Sequence, residues 1–447
     1  MLQAMPSVGI YTLGCKVNQY ESEAIAEALT AHGFSLRPHE QKCDIYIINT
    51  CTVTAESDRK AGQFIRRAIA QNPNAYIIVT GCLSQTDPHK IAQIKGVDFV
   101  GGNDKKMNTV AAALRYAENR QKRETPEISV SALDEAPFEG MQIQHFNRTR
   151  AYVKIEDGCE NHCTYCIIPA ARGKVRSKPP QEVIREVQAL VANGCREVVL
   201  TGIETASYGK DLKDCRLEDL LAQVNTLTGV ERIRLGSLDP SLITERFVAK
   251  LSSLSSLMPH FHLSLQSGCD RTLARMKRKY NAQMAMEAME RVRATMPEVC
   301  FTTDVIVGFP GETEEDFAET VSFMKKARFL NAHIFPYSRR EGTPAAVMPD
   351  QVPEAVKSER SAALIAVQAD IYRALLREQA AQEKEYDVLF ETESDGFFVG
   401  HTPSFIEVAV KSPVSLRGEI RRVRAVAVEK DRLLCELLPS SEQERTE

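Results

Sequence analysis

The segment Glu156-Asp-Gly-Cys159-Glu-Asn-His-Cys163-Thr-Tyr-Cys166 sets three thiols in a C-x3-C-x2-C spacing, with an aromatic residue, Tyr165, before the last. Three thiolates on one tight loop can bind three irons of a [4Fe–4S] cube and leave the fourth iron without a protein ligand. An open iron lets a cluster bind a substrate or cofactor rather than only pass electrons. Structural zinc with His162 as fourth ligand is the alternative. Zinc sites usually pair one C-x2-4-C with a distant second pair, and no such pair follows here.

A second set of cysteines is scattered in sequence but equivalent in position. Residues 8–13, 44–49, 75–80 and 98–100 read as strands, and 19–32 and 56–71 as helices between them. Such alternation implies a parallel, doubly wound α/β sheet. In that arrangement all strand C-termini lie on one edge, where ligands bind. Cys15, Cys51 and Cys82 each fall one or two residues past a strand end, so the fold would gather them into a second three-thiol site. Cys43 precedes its strand and belongs to the opposite edge, which makes it structural.

From Arg150 the pattern becomes six strand candidates, 152–155, 197–201, 232–237, 260–265, 301–307 and 331–337, separated by helices such as 181–192, 217–227 and 313–327. Six βα units without a seventh predict an open six-stranded barrel, whose chemistry sits on loops at the strand C-termini. The C-x3-C-x2-C loop directly follows the first strand. Gly202, Glu204, Ser237, Asp239, Gln266, Asp304, Gly308 and Gly311 share that rim. Its glycines would allow close backbone approach, and its polar groups would cradle a nucleoside with an amino-acid tail. Residues 354–383 read as one long helix. Short strands at 386–391, 396–399, 406–410, 419–428 and 433–437 then suggest a small antiparallel barrel, of a kind that often binds RNA; a packing or dimerisation module is the alternative.

At 447 residues, two or three domains are expected. The predicted boundaries are 1–125, a linker at 126–148, the open barrel at 149–380 and the small β-barrel at 381–440. Apolar content of 43% and charged content of 26% suit a soluble globular protein. No apolar run approaches the ~18 residues of a membrane span, and no basic-then-apolar leader is visible. A cytoplasmic protein without membrane contact is expected, in which the twelve cysteines signal metal or redox chemistry rather than disulfides. Net charge is −4, so composition does not announce a nucleic-acid coat. Basic runs occur at 148–154, 172–178, 277–279 and 421–424; each is either a phosphate contact or solvated surface.

Together these residues resemble the methylthiotransferases of the radical S-adenosylmethionine (SAM) superfamily. The run Thr12-Leu-Gly-Cys15-Lys-Val-Asn-Gln-Tyr-Glu-Ser-Glu23 is similar to the branch that modifies N6-threonylcarbamoyladenosine in tRNA. The isopentenyladenosine branch usually carries Gln-Met, and the ribosomal-protein aspartate branch Pro-Lys, where Lys16-Val17 stands here. Tyr46-Ile-Ile-Asn49-Thr-Cys51-Thr-Val and Cys166-Ile-Ile-Pro-Ala-Ala-Arg172-Gly173 agree with the family. Asp239 stands where Glu is frequent, Cys269 where Ser or Asn is common, and Glu204 where His usually precedes Thr205. The resemblance implies two [4Fe–4S] clusters, one on Cys159, Cys163 and Cys166 and an auxiliary one on Cys15, Cys51 and Cys82. It implies two uses of SAM: methylation of a sulfur at the auxiliary cluster, and release of a 5′-deoxyadenosyl radical that takes hydrogen from adenine C2. Tyr165 joins the rim residues as a candidate SAM contact. The tRNA anticodon stem-loop, held by a C-terminal TRAM domain, and an electron donor such as flavodoxin or ferredoxin are the implied partners; the oligomeric state stays open. The rival class is a non-catalytic, metal-bound RNA-binding module, which the intact six-unit barrel argues against.

Overall fold

The computed structural model describes residues 5–134 and 136–439. The first four residues of the expected first region, Glu135 of the expected linker and residue 440 of the expected third region lie outside them. The first sheet comprises β1 (Ser7–Thr12), β2 (Ser35–Arg37), β3 (Ile45–Thr50), β4 (Tyr76–Gly81), β5 (Phe99–Gly101) and β6 (Glu127–Ser129), in the order β2-β1-β3-β4-β5-β6. All pairings are parallel. Strands β3 and β4 are buried throughout because helices cover both faces. Ile45 and Ile47 face the core shared with Tyr20, Ile25 and Leu29, while Tyr46 and Ile48 face Ala61 and Ile65. The helix Ala55–Gln71 starts on Thr54, whose hydroxyl accepts from Ser57 N, with Glu56 and Asp58 in its first turn. Chain order reverses between β1 and β3, and the crevice outside that switch point is where such sheets bind ligands.

In this first region two features depart from the sequence expectation. The short edge strand β2 went unpredicted. The segment expected as a linker is not a free connection: β6 pairs with β5, and Leu133, Met141 and Ile143 are buried. Three residues give too short a run for periodicity to register.

The open barrel follows, built from β7 (Arg150–Lys154), β10 (Glu197–Thr201), β11 (Arg232–Leu235), β12 (Ser237–Leu238), β13 (His260–Gln266), β14 (Cys300–Val307) and β15 (Asn331–Pro336). A small antiparallel pair, β8 (Glu156–Asp157) and β9 (Arg176–Ser177), sits above β7. The expected third strand is broken at Gly236 into β11 and β12, so the ladders run β11-β10-β7 and β12-β13-β14-β15. The helix Glu354–Ala381 leads to β16 (Glu385–Ser394), β17 (Phe397–His401), β18 (Glu407–Val410), β19 (Ile420–Glu429) and β20 (Arg432–Leu437), which close into a barrel ordered β16-β17-β18-β20-β19. Val388, Phe390, Val408, Val410, Val423 and Leu433 fill it, with Leu376 of the long helix against them.

The small barrel docks on the strand N-termini of the open one. Arg232 donates to the carbonyls of Asp387 and His401, and Arg234 to those of Thr402 and Pro403. Buried Glu197 holds Arg150 (3.0 Å) and Arg234 (2.9 Å). Arg150 and Lys154, in the first basic run, are therefore buried structural cations and not RNA contacts. Phe405 stacks on His260 and His401 and forms a floor under the barrel lumen.

Candidate active site

The C-x3-C-x2-C loop is pinned at both ends. The β8–β9 ladder closes its base, and Cys159 N donates to Gly173 O at 3.0 Å. Gly158 has φ +91, and a Cβ there would lie 1.9 Å from the Lys174 carbonyl oxygen. Only glycine fits such a backbone-to-backbone approach. Gly158→Ala should therefore destabilise the loop by roughly 2 kcal/mol or more and lower cluster occupancy; an unchanged unfolding midpoint with full iron content would refute this.

Farther along, His162 takes φ +48, and Cys166 N turns back onto Cys163 O. Thr164 ties the loop to the barrel, its N donating to Met276 O and its hydroxyl to Arg275 O. Burial pushes the Cys159 and Cys166 thiols up to about 12. Clustered, buried thiols become thiolates only when a cation sits among them, which fits a cluster of irons. Among the described residues, no group of three or more His, Cys, Asp or Glu is placed to hold a metal ion, which bears alike on the zinc alternative with His162 and on the two cysteine triads.

Arg278 is the partner that sequence reasoning misplaced. Expected in a basic surface run, it is nearly buried and donates to Cys163 Sγ (3.0 Å), Asp239 Oδ2 (2.9 Å) and Ser264 O (2.9 Å). Asp239 also caps Ser241. Glu204 accepts from Asn161 of the cysteine loop at 3.0 Å, and its other carboxylate oxygen is buried without a partner. Burial, reinforced by Asp239, pushes Glu204 up to about 7, so near neutrality it can hold or release a proton beside the loop.

The remaining rim candidates are placed as follows. Ser237 is half-buried at the break in the third strand. Gln266 has φ +70 at an irregularity in the β13–β14 register. Asp304 Oδ2 lies 3.2 Å from His262 Nε2 inside the lumen. Tyr165 packs against the cluster of Met276, Phe309, Tyr337 and Ala345. A Cβ at Gly202 would meet Glu156, at Gly308 Lys357 and at Gly311 the Arg275 guanidinium, and Gly308 and Gly311 take φ +69 and +78.

The other three cysteines converge at the switch point. Cys15 caps the helix Lys16–Ala31, Cys51 follows β3, and Cys82 opens the helix Cys82–Thr86 after β4. A Cβ on Gly14 would lie 3.0 Å from Cys51 Cβ, so the first two loops touch. Asn18 Oδ1 accepts from Cys15 Sγ (3.4 Å) and from Arg172 Nη2 (3.0 Å), while Arg172 Nε donates to Cys82 Sγ (3.3 Å). Burial pushes the Cys51 thiol up to about 12. Cys43 is buried before β3, at the far edge, its thiol against the Gln41 carbonyl.

Arg172 lies only a few residues past Cys166, so one guanidinium joins the neighbourhoods of the two triads. Behind it, Glu21 accepts from Arg172 and pairs with Lys154 (2.9 Å) and Lys106 (3.2 Å), and Asp157 pairs with Arg172 (3.2 Å) and Lys154 (3.0 Å). These groups are buried. The run 172–178, expected as phosphate contact or solvated surface, is neither for Arg172, Arg176 and Lys178: Arg176 donates to Arg172 O, and Lys178 pairs with buried Glu186.

The first sheet also spans the open side of the barrel. The helix Lys16–Ala31 packs on β7. Across the gap, Ala55 N donates to Ser338 Oγ (3.0 Å), and Arg340 pairs with Asp58 (2.7 Å) and donates to Thr52. Between them lies a cavity of about 640 Å³ lined from all three regions, including Lys16, Tyr152, His262, His333 and Phe405. Cys15 is exposed and directly precedes Lys16, which lines this cavity.

Comparison with known proteins matches this arrangement. The profile of the Radical SAM superfamily covers residues 153–324, and that of Uncharacterized protein family UPF0004 covers residues 7–102. Radical SAM methyltransferase TsrM from Kitasatospora setae, solved with cobalamin and a [4Fe–4S] cluster, shares the fold at TM-score 0.56 and 17% identity, over 76% of this chain and 74% of that one. The fold and the cysteine loop thus define a radical SAM protein. Threonylcarbamoyladenosine tRNA methylthiotransferase MtaB of Bacillus subtilis (strain 168) is 43% identical over 94% of both chains. A tRNA-2-methylthio-N(6)-dimethylallyladenosine synthase of Carboxydothermus hydrogenoformans is 38% identical over 82% of this chain and 84% of its own. The chain belongs to the methylthiotransferase family of radical SAM enzymes, and its cofactors are SAM and two [4Fe–4S] clusters.

Proposed function

We propose that the protein adds a methylthio group to C2 of N6-threonylcarbamoyladenosine next to the anticodon of tRNA. The observation that carries this reading is a cavity lined by Lys16, the neighbour of Cys15, by barrel-lumen residues such as Tyr152 and His262, and by His401 and Phe405 of the C-terminal unit. Cys159, Cys163 and Cys166 would hold the radical cluster, and Cys15, Cys51 and Cys82 the auxiliary one. Adenine C2–H is neither acidic nor easily displaced, so general acid–base groups have no purchase on it; when bound, the clusters and SAM supply the one-electron chemistry and the methylthio group. The chain's own residues position and enclose. Arg278 donates to Cys163 Sγ and to Asp239, Glu204 accepts from Asn161 of the cysteine loop, and Phe405 closes the floor. Tyr165, Gly202, Ser237, Gln266, Asp304, Gly308 and Gly311 complete the proposed SAM-binding rim. A flavodoxin or ferredoxin as electron donor and a cytoplasmic setting belong to the same reading. Among the described residues no helix is long and apolar enough to cross a membrane.

RNA affinity is assigned to the C-terminal barrel. Arg421, Arg422 and Arg424 lie on β19, paired with Glu419 and Glu385. Exposed pairs of this kind are weak and exchangeable, so phosphates can replace the carboxylates. Changing the three arginines to Ala should weaken tRNA binding at unchanged iron content. The slope of log affinity against log salt should fall by about 0.7–0.9 for each phosphate no longer neutralised. Equal affinity at two salt concentrations would remove this face from the interface. The function itself is tested by expressing the chain in a strain whose tRNA lacks the 2-methylthio group. Nucleoside mass spectrometry should show it on threonylcarbamoyladenosine; its appearance only on isopentenyladenosine, or on no nucleoside, would overturn the proposal.

A further inference from the structure

We propose that Lys16 is a specificity residue whose ammonium receives the carboxylate of the threonyl group in the central cavity. This deepens the substrate reading above and rests on it.

Lys16 follows Cys15 and projects into the lumen among Arg150, Arg234 and Asp304. It is ringed by protein on all sides yet reached by the water of the cavity. Every charged neighbour already has a partner. Arg150 is held by Glu197 and Glu391, Arg234 by Glu197 and two carbonyls, and Asp304 lies within reach of His262. Lys16 Nζ alone among them makes no hydrogen bond or ion pair with a described residue. An unpartnered cation in a confined cavity is unfavourable until an anion arrives, and a charge-assisted hydrogen bond is stronger there than in bulk water.

The volume, about 640 Å³, suits a base with a short side chain rather than a nucleic-acid helix. An adenosine with a purely apolar tail offers nothing to this ammonium. A threonylcarbamoyl tail ends in a carboxylate and carries a hydroxyl. Its length lets the base lie toward the strand C-termini while the acid lies deeper, where Lys16, Arg150 and Arg234 concentrate positive charge. The arginines, fixed by Glu197, shape this end of the pocket, and Lys16 supplies the free charge.

The test uses the full reconstituted protein and two synthetic anticodon stem-loop RNAs, one with threonylcarbamoyladenosine and one with plain adenosine at that position. The wild type should methylthiolate the first and bind it roughly 10- to 100-fold more tightly than the second. At equal iron content, Lys16→Gln should lose most of that preference, and Lys16→Arg should keep much of it. If Lys16→Gln and Lys16→Met both retain the wild-type preference, the assignment of Lys16 falls while the substrate reading stands. If the wild type itself neither prefers nor methylthiolates the threonylcarbamoyl RNA, the substrate reading falls and this inference with it.

Discussion

Replacing Cys159, Cys163 and Cys166 together with Ala should leave about four of about eight irons after anaerobic reconstitution and abolish reductive cleavage of SAM. Each triad lies at the ends of its own strands, and on the proposed assignment each holds one cube without the other. Cys51→Ala or Cys82→Ala should behave differently: methylthiolation is lost, while some SAM cleavage survives because the barrel loop keeps its ligands. Full iron in the triple variant, or equal loss of cleavage in both classes, would contradict the division of labour between the two triads.

Glu21→Gln should cost about 3–5 kcal/mol of stability, the range for breaking a buried ion pair by removing one partner. Glu21 and Asp157 are the carboxylates that neutralise Arg172, Lys154 and Lys106 in a fully buried group, with the Cys82 sulfur as a further acceptor for Arg172. Burial alone would raise the Glu21 carboxyl, but Arg172, Lys106 and Lys154 hold it well below the usual range. A depressed carboxylate contributes stability above its unfolded value, about 4.3, and loses it as the pH falls toward the folded value. The stability difference between wild type and Glu21→Gln should therefore be full near neutrality and shrink in acid. A difference independent of pH, or below about 1 kcal/mol at neutrality, would show that the network does not hold the first sheet to the barrel. Arg172→Lys should not restore the wild type, since an ammonium cannot reach Glu21, Asn18 and Cys82 with one planar fork.

The placement of the six cysteines proposed as ligands was legible in the sequence because each carries a short-range signal. C-x3-C-x2-C is a contiguous spacing, and Cys15, Cys51 and Cys82 share the offset from a strand end that a parallel sheet converts into proximity. The five short strands of the small barrel were equally readable from alternation and turn residues. The charged residues behind these cysteines were not. Arg172 and Glu21 are 151 residues apart, and Arg278 and Cys163 are 115 apart. In sequence these arginines sit in basic runs that look like solvated or phosphate-binding surface; only tertiary packing reveals that they are buried. Lys16 marks one branch of the family in sequence, but its place in the lumen depends on the first sheet closing the gap between β7 and β15, which no periodicity encodes. The pair β8–β9 and the edge strand β6 escaped for a simpler reason, since two or three residues carry no period.

Whether the two triads serve one substrate in one cavity can be decided in a single anaerobic incubation. The reconstituted protein, SAM and reductant would be mixed with equal amounts of two anticodon stem-loops, one bearing threonylcarbamoyladenosine and the other isopentenyladenosine, and the nucleosides analysed by mass spectrometry. The 2-methylthio product should form on the threonylcarbamoyl RNA, with 5′-deoxyadenosine released alongside, and none should form on the isopentenyl RNA. Product confined to the isopentenyl RNA, or 5′-deoxyadenosine without methylthiolation of either RNA by a protein carrying both clusters, would show that the triads do not work together on this substrate.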